Sequence, residues 1–272
     1  MAAPALVLLA TGSTDDRVAQ VIHTLRKRMQ ELRPSLNVQL AFLNHCSPTC
    51  SQVLASLKSH DVHEAVFVPL DITRAHRASE EAQALIDSLR SQYPNLAIRL
   101  ARPLGPAAEL LTVVDLRLRQ ALSASHASEL DGLVLSIPNN GDPRDNALIH
   151  RRVRQWKAHH KLPVQLAFAD GTGLGVAAGV AALRSQGRRS IAVGSFFLDA
   201  DHVYIAQANQ ALQAGAITVS APLGDDPRLL DLVMVRYSVA ALDLLDDLVF
   251  AEPTFDDVPV ISGYTPTIQL AS

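Results

Sequence analysis

Short runs of uninterrupted apolar residues recur along the chain. Ala5-Leu6-Val7-Leu8-Leu9, Val66-Phe67-Val68 and Leu133-Val134-Leu135 carry no polar position, as strands covered on both faces require. Between them the pattern changes period. Val18, Val21, Ile22 and Leu25 recur at helical spacing among charged residues. The first half of the chain predicts strands near 5–10, 37–43, 64–70 and 97–101, and helices near 15–32, 49–59, 77–92 and 106–123. The second half predicts strands near 131–137, 163–169, 189–195 and 216–220, with helices between and after. Strands that alternate with helices imply βαβ units and a parallel sheet. The expected fold class is α/β, with two tandem flavodoxin-like domains, each a four-stranded parallel sheet with helices on both faces.

The two halves repeat one another. Ala5-Leu6-Val7-Leu8-Leu9 aligns with Gly132-Leu133-Val134-Leu135-Ser136 at an offset of 127, which also carries Asp15 to Asp142, Arg17 to Arg144 and His23 to His150. Gln39-Leu40-Ala41-Phe42 matches Gln165-Leu166-Ala167-Phe168 at 126, and His76 matches His202 at the same offset. Further on, Pro103-Leu104-Gly105 matches Pro222-Leu223-Gly224 and Leu110-Leu111 matches Leu229-Leu230 at 119. The small, polar stretch Ser123 to Ser128 is the expected boundary, giving domains 1–126 and 127–250. Residues 251–272 hold three prolines and little periodicity and read as a tail.

Composition narrows the class. A chain of 272 residues that is 48% hydrophobic and 19% charged is globular rather than disordered. A net charge of −3, with lysine and arginine scattered, offers no surface for nucleic acid or anionic membrane. The apolar N-terminus lacks a positive leader and reads as a first strand rather than a signal peptide. No apolar run is long enough to span a membrane. Two cysteines, Cys46 and Cys50, fit a reducing cytoplasm rather than a disulfide scaffold.

In an open parallel sheet the chemistry lies in the loops that leave the strand C-termini. Those loops bring Thr11-Gly12-Ser13, Asn44-His45-Cys46, Asp71 to His76 and Arg102 to Gly105 from the first half. From the second they bring Pro138 to Gly141, Asp170-Gly171-Thr172, Asp199 to His202 and Ala221 to Gly224. His76 and His202 occupy one point of the repeat, so they are the leading pair. Alone, His76 would read first as a capping or surface histidine at the start of the helix that follows; its counterpart His202 brings the functional reading level with that one. His23 and His150 also repeat, but inside first helices, where packing or a helix surface explains them. His60, His63, His159 and His160 fall in polar helix ends and are assigned no function. Gly171-Thr172-Gly173-Leu174-Gly175 precedes a helix, yet it follows a second strand and lacks the acidic partner of a dinucleotide fingerprint.

The layout resembles the class II chelatases, the sirohydrochlorin chelatase and cobaltochelatase family, in its long two-domain form. The residues that carry the likeness are Leu40-Ala41-Phe42-Leu43, Val68-Pro69-Leu70 with His76 after it, and the Pro-Leu-Gly segments at 103–105 and 222–224. The resemblance implies insertion of Fe²⁺ or Co²⁺ into a tetrapyrrole for sirohaem or cobalamin synthesis. The divalent metal is then a substrate, and no organic cofactor is implied. Metal insertion removes two pyrrole N–H protons, so a base of near-neutral pKa is wanted, and imidazole also suits these metals as a ligand. His76 and His202 are the expected catalytic and metal-contacting residues, facing each other across a cleft between pseudo-twofold halves of one monomer. Thr11, Gly12, Ser13, Asn44, Arg74 and Asp170 are expected to line the substrate pocket. Sequence departures are concentrated there: Thr11 stands where the family places a first histidine, and Asn44 where it places a glutamate. A threonine is a poor ligand and an asparagine is no base. Two alternatives follow: a carrier or regulator of the same fold that binds tetrapyrrole or metal without inserting it, and a metal module built on His45, Cys46 and Cys50.

Overall fold

In a computed structural model, residues 3–127, 129–139 and 142–249 are described. The first half runs β1 (Ala5–Ala10), α1 (Asp16–Leu32), β2 (Val38–Phe42), α2 (Cys50–Ser59), β3 (Glu64–Pro69), α3 (Glu80–Gln92), β4 (Ala97–Leu100) and α4 (Ala108–Ala124). The second runs β5 (Gly132–Ile137), α5 (Pro143–His160), β6 (Val164–Phe168), α6 (Val176–Ser185), β7 (Ile191–Ser195), α7 (His202–Gln213), β8 (Thr218–Val219) and α8 (Pro227–Val249). Both sheets are parallel and ordered alike, β2-β1-β3-β4 and β6-β5-β7-β8. The α/β class and the two four-stranded sheets expected from the apolar pattern are present. The 251–272 tail lies outside the described residues. No helix among the described residues is long and apolar enough to cross a membrane.

Local chemistry sets the helix starts. Asp15 and Asp142, one repeat apart, cap α1 and α5 with their carboxylates, and Pro143 opens α5 with its φ already helical. The third helix starts later than the expected residue 77. The Ser79 side chain accepts from the Ala82 N–H, and Glu80 and Glu81 fill the first turn, where the helix dipole favours them. Residues 70–78 are thereby released into a long loop.

The alternation of side chains along β1 and β5 divides the interior. Val7 and Leu9 turn outward onto α2 and α3, forming one core with Val53, Leu57, Ile86 and Leu89. Val134 turns outward onto Val176, Val180 and Leu183 of α6. The opposite faces, Leu6 and Leu8 in one sheet and Leu133, Leu135 and Ile137 in the other, share a single core. Four helices, α1, α4, α5 and α8, fill this middle layer between the sheets.

The last helix of each half has crossed over. Helix α4 packs on β7 and β8, and α8 packs on β3 and β4. Polar ties follow the same exchange. Tyr237 donates its phenolic O–H to Pro4 O at 2.7 Å, Arg236 reaches Leu104 O at 3.1 Å, and Arg117 reaches Leu223 O at 3.2 Å. Each half of the sequence therefore completes the core of the other.

The tightest point of this layer is Gly194 in β7. A Cβ there would lie 2.7 Å from Trp156 of α5 and 2.8 Å from Val114 of the crossed-over α4. Trp156 is 1% exposed and has nowhere to retreat. Gly194→Ala is therefore expected to cost about 1–3 kcal/mol by overpacking, read as a lower urea midpoint at unchanged slope. An unchanged midpoint would show that the layer has slack at this point.

Candidate functional site

A sheet ordered 2-1-3-4 reverses its winding between the first and third strands, and the loops there part to leave a crevice. The two crevices meet. Thr11–Ser13 and Leu70–Thr73 from the first half, with Pro138, Asn139 and Phe197–Leu198, Asp199, Asp201 and His202 from the second, line one cleft of about 400 Å³.

Each wall is fixed by its own backbone logic. Gly12 has φ +82°, and a Cβ there would fall 2.0 Å from the Asn44 carbonyl oxygen, so only glycine passes. Asn44 donates its N–H to Thr11 O at 3.1 Å. It braces the loop from behind, with its Nδ2 on Glu81 at 3.2 Å and its Oδ1 buried without a partner. Asp71 closes the next loop: Oδ1 accepts from the Thr73 N–H, the Thr73 hydroxyl and the Arg74 N–H at 2.8, 2.8 and 3.0 Å. The Thr73 hydroxyl also lies 3.0 Å from Asn139 Oδ1, joining the walls.

The second half supplies Asp199, Asp201 and His202 to the cleft. Asp201 caps α7, accepting from Tyr204 N–H at 2.7 Å, and His202 opens that helix at the cleft. Asp199 is different from its acidic neighbours. Burial, with the charge of Asp201 added, pushes its carboxyl up to about 6. Across the gap, Arg17 binds Asp15 at 2.6 Å and holds that carboxyl down at about 2.

The two repeated histidines stand in different surroundings. His202 lies toward Asp15 at the start of α1. His76 lies at the start of α5, where its Nδ1 is 2.7 Å from Asp145 Oδ1, an oxygen that also accepts the Ala75 N–H at 3.0 Å. Asp145 is fully buried. The first-half residue at its place in the repeat is Val18, which lines the cleft instead. His76 is thus held in an inter-half pair with its ring 46% exposed, and it does not line the cleft.

Of the residues expected from sequence, Thr11, Gly12, Ser13 and His202 come together in the cleft. Asn44 supports it from outside, Arg74 lies 3.5 Å from Asp71, and His76 pairs with Asp145. Asp170 shapes the turn after β6, accepting from the Thr172 N–H and hydroxyl at 3.0 and 2.6 Å. Asn140 and Gly141 lie outside the described residues. The alternative metal module loses support. Cys50 is 1% exposed and burial pushes its thiol up to about 11, away from the ligand thiolate, while Cys46 is tied to the Ser13 carbonyl at 3.0 Å. Asp199 and Asp145 were missed. The exchange of Val18 for Asp145 at one repeat position was the available signal for the latter.

Two facing switch points, with an imidazole and a raised carboxyl in the cleft between them, define a two-lobed α/β protein with one shared site. The CbiX family matches residues 5–121 and 140–240, and the chain belongs to that family. The sirohydrochlorin cobaltochelatase of Priestia megaterium is 23% identical over 166 residues, which is 60% of this chain and 54% of that protein. The chain thus spans about half the length of that curated relative. SirB from Bacillus subtilis with Fe³⁺ superposes with a TM-score of 0.75 at 16% identity, covering 90% of this chain and 98% of that one. Sirohydrochlorin chelatase SirB from Bacillus subtilis subspecies spizizenii in complex with cobalt gives 0.71 at 14%, covering 89% and 96%. These structures share the fold.

Asp145 and His76 join the halves beside the cleft. Asp145→Asn removes the charge from a buried hydrogen-bonded pair and is expected to cost about 1–3 kcal/mol. Thermal unfolding would show it as a lower midpoint. No change would mean that the Ala75 contact alone secures the loop.

Proposed function

We propose that this chain is a chelatase that inserts a divalent metal, Fe²⁺ or Co²⁺, into a tetrapyrrole of the sirohydrochlorin type, with the cleft as its site. The observation that carries the reading is that His202 and Asp199 line the same cleft. Insertion replaces two pyrrole N–H protons by one metal ion, so two protons must leave. A carboxyl poised at about 6 and an imidazole are both suited to accept protons near neutral pH. The carboxylates of Asp199 and Asp201 attract a divalent cation, and the neutral imidazole offers it a nitrogen ligand. Thr11–Ser13 on the opposite wall, with Asn139 where the walls join, would orient the macrocycle. Arg74, held beside the cleft by Asp71, would meet its carboxylate arms. The repeat makes one chain sufficient, working as a monomer in the cytoplasm with no organic cofactor, nucleic acid or membrane partner.

Thr11 and Asn44, standing where the resemblance places a histidine and a glutamate, favour a second reading: a carrier that holds the tetrapyrrole or metal without joining them.

Anaerobic absorbance with sirohydrochlorin and Co²⁺ separates the two. The expected result is metal-dependent conversion above the uncatalysed rate, reduced on the order of 10²-fold in His202→Ala and in Asp199→Asn. His76→Ala should retain most of the rate. A spectral shift on binding without conversion would establish the carrier. Loss of conversion in His76→Ala but not in His202→Ala would move the chemistry to the His76 side.

The rate should also fall as pH drops through about 6, because protonated Asp199 accepts nothing. The sign for stability is the reverse. The folded-state pKa is raised, so the buried carboxylate burdens the fold above about pH 6 and is relieved as pH falls toward 4. Asp199→Asn should therefore stabilise the protein at pH 7 to 8 by on the order of 1 kcal/mol and have little effect near pH 4. Equal effects at both pH values would contradict the raised carboxyl.

A further inference from the structure

Helix α5 begins at the cleft and ends at a second cluster. Fifteen residues separate Asp145 from His160 on this helix, a rise of about 22 Å. At that far end Asp115 of the crossed-over α4 meets His159 and His160. The Asp115 residue is 8% exposed. Its Oδ1 receives the Trp156 indole N–H at 2.6 Å and lies 2.8 Å from His160 Nε2. Its Oδ2 lies 3.9 Å from His159 Nε2, too far for a hydrogen bond. One ligand atom from each of the three residues lies within 4.8 Å of the other two, and among the described residues this is the one such group of three.

We propose that Asp115, His159 and His160 form a binding site for a divalent first-row transition-metal ion, independent of the cleft and of the reaction proposed there. An ion held at about 2.0–2.2 Å from nitrogen and oxygen ligands leaves those ligands a little over 3 Å apart. The 2.8 Å from Asp115 Oδ1 to His160 and the 3.9 Å from Oδ2 to His159 lie on either side of that spacing, and one ligand atom of each residue lies within 4.8 Å of the other two, so side-chain rotation would close the site. Two imidazoles and a carboxylate suit Co²⁺, Ni²⁺ or Zn²⁺ rather than Mg²⁺ or Ca²⁺. Binding needs His160 to present Nε2 as a lone pair, with its proton on Nδ1; the Oδ1 contact is then exchanged for the ion. His159, 63% exposed, leaves further coordination positions to water.

The repeat argues against a purely structural account. The residue 119 positions after Asp115 is Met234, and those 127 positions before His159 and His160 are Leu32 and Arg33. The same fold is built in the other half without a carboxylate or an imidazole at this place. Burying a carboxylate costs free energy that methionine does not; the Trp156 N–H, whose repeat counterpart is Met29, accounts for the acid, but neither histidine is needed for that bond.

Trp156 is the single tryptophan of the chain, and its ring centroid lies 5.2 Å from that of His160. Its fluorescence therefore reports on this site. Titration of tag-free, full-length protein with Co²⁺ should quench it saturably at one equivalent, and Zn²⁺ should compete. The same curve is expected for His202→Ala, which removes the cleft imidazole. In His159→Ala the midpoint should rise by on the order of tenfold or more, since altering even an outer-sphere partner of a metal can cost that much. This exposed position should leave the metal-free thermal midpoint unchanged. Absence of saturable quenching in the wild type would overturn the proposal, as would an unaltered midpoint in His159→Ala. So would a midpoint that moves in His202→Ala instead, which would assign the signal to the cleft.

Discussion

The middle layer is the constraint on which the structure depends. Two parallel sheets each need both faces covered, and each half of the sequence carries helices enough to do so. The inner faces are nevertheless covered jointly, by α1 and α5 on their own sheets and by α4 and α8 on the opposite ones. Burial of this one layer fixes both the distance and the rotation between the sheets. Because the sheets are oriented by it, their switch points face one another, and the loops of both contribute to one cleft. The position of the site is thus a consequence of packing far from it.

The strands were legible because each is short, apolar on both faces and bounded by polar loops. Their limits agree with expectation to within one or two residues, β8 included, although that edge strand pairs over only two positions. The duplication was legible for the same reason: packing preserves apolar identities at fixed spacing. The crossing of α4 and α8 left no such mark. A helix that packs on a neighbouring sheet carries the same amphipathic stripe as one that packs on its own, and periodicity says nothing of which sheet receives it.

The site was legible in its loops and less so in its chemistry. Residue type and place in the repeat brought out Thr11, Gly12, Ser13 and His202. They could not distinguish His202 from His76, because that difference lies in what the other half presents: Val18 to one and Asp145 to the other. Asp199 was passed over as an ordinary loop acid. Its distinction is a raised pKa that arises from desolvation and a like-charged neighbour, quantities set by the assembled walls and absent from the linear chain.

The crossing of the last helices gives the molecule the form of two mutually embracing subunits joined by a short covalent bridge between Ala124 and Gly132. Two separate copies of one subunit related by a twofold axis are bound to be identical at every position, so any change at one histidine is imposed on its mate. A fused pair escapes this. Residues 18 and 145 could diverge, one to an apolar wall and the other to a buried acid, without either change being copied across the axis. A single chain can thus hold His76 against a buried acid while His202 stands in an open cleft, a difference that no strict homodimer could hold.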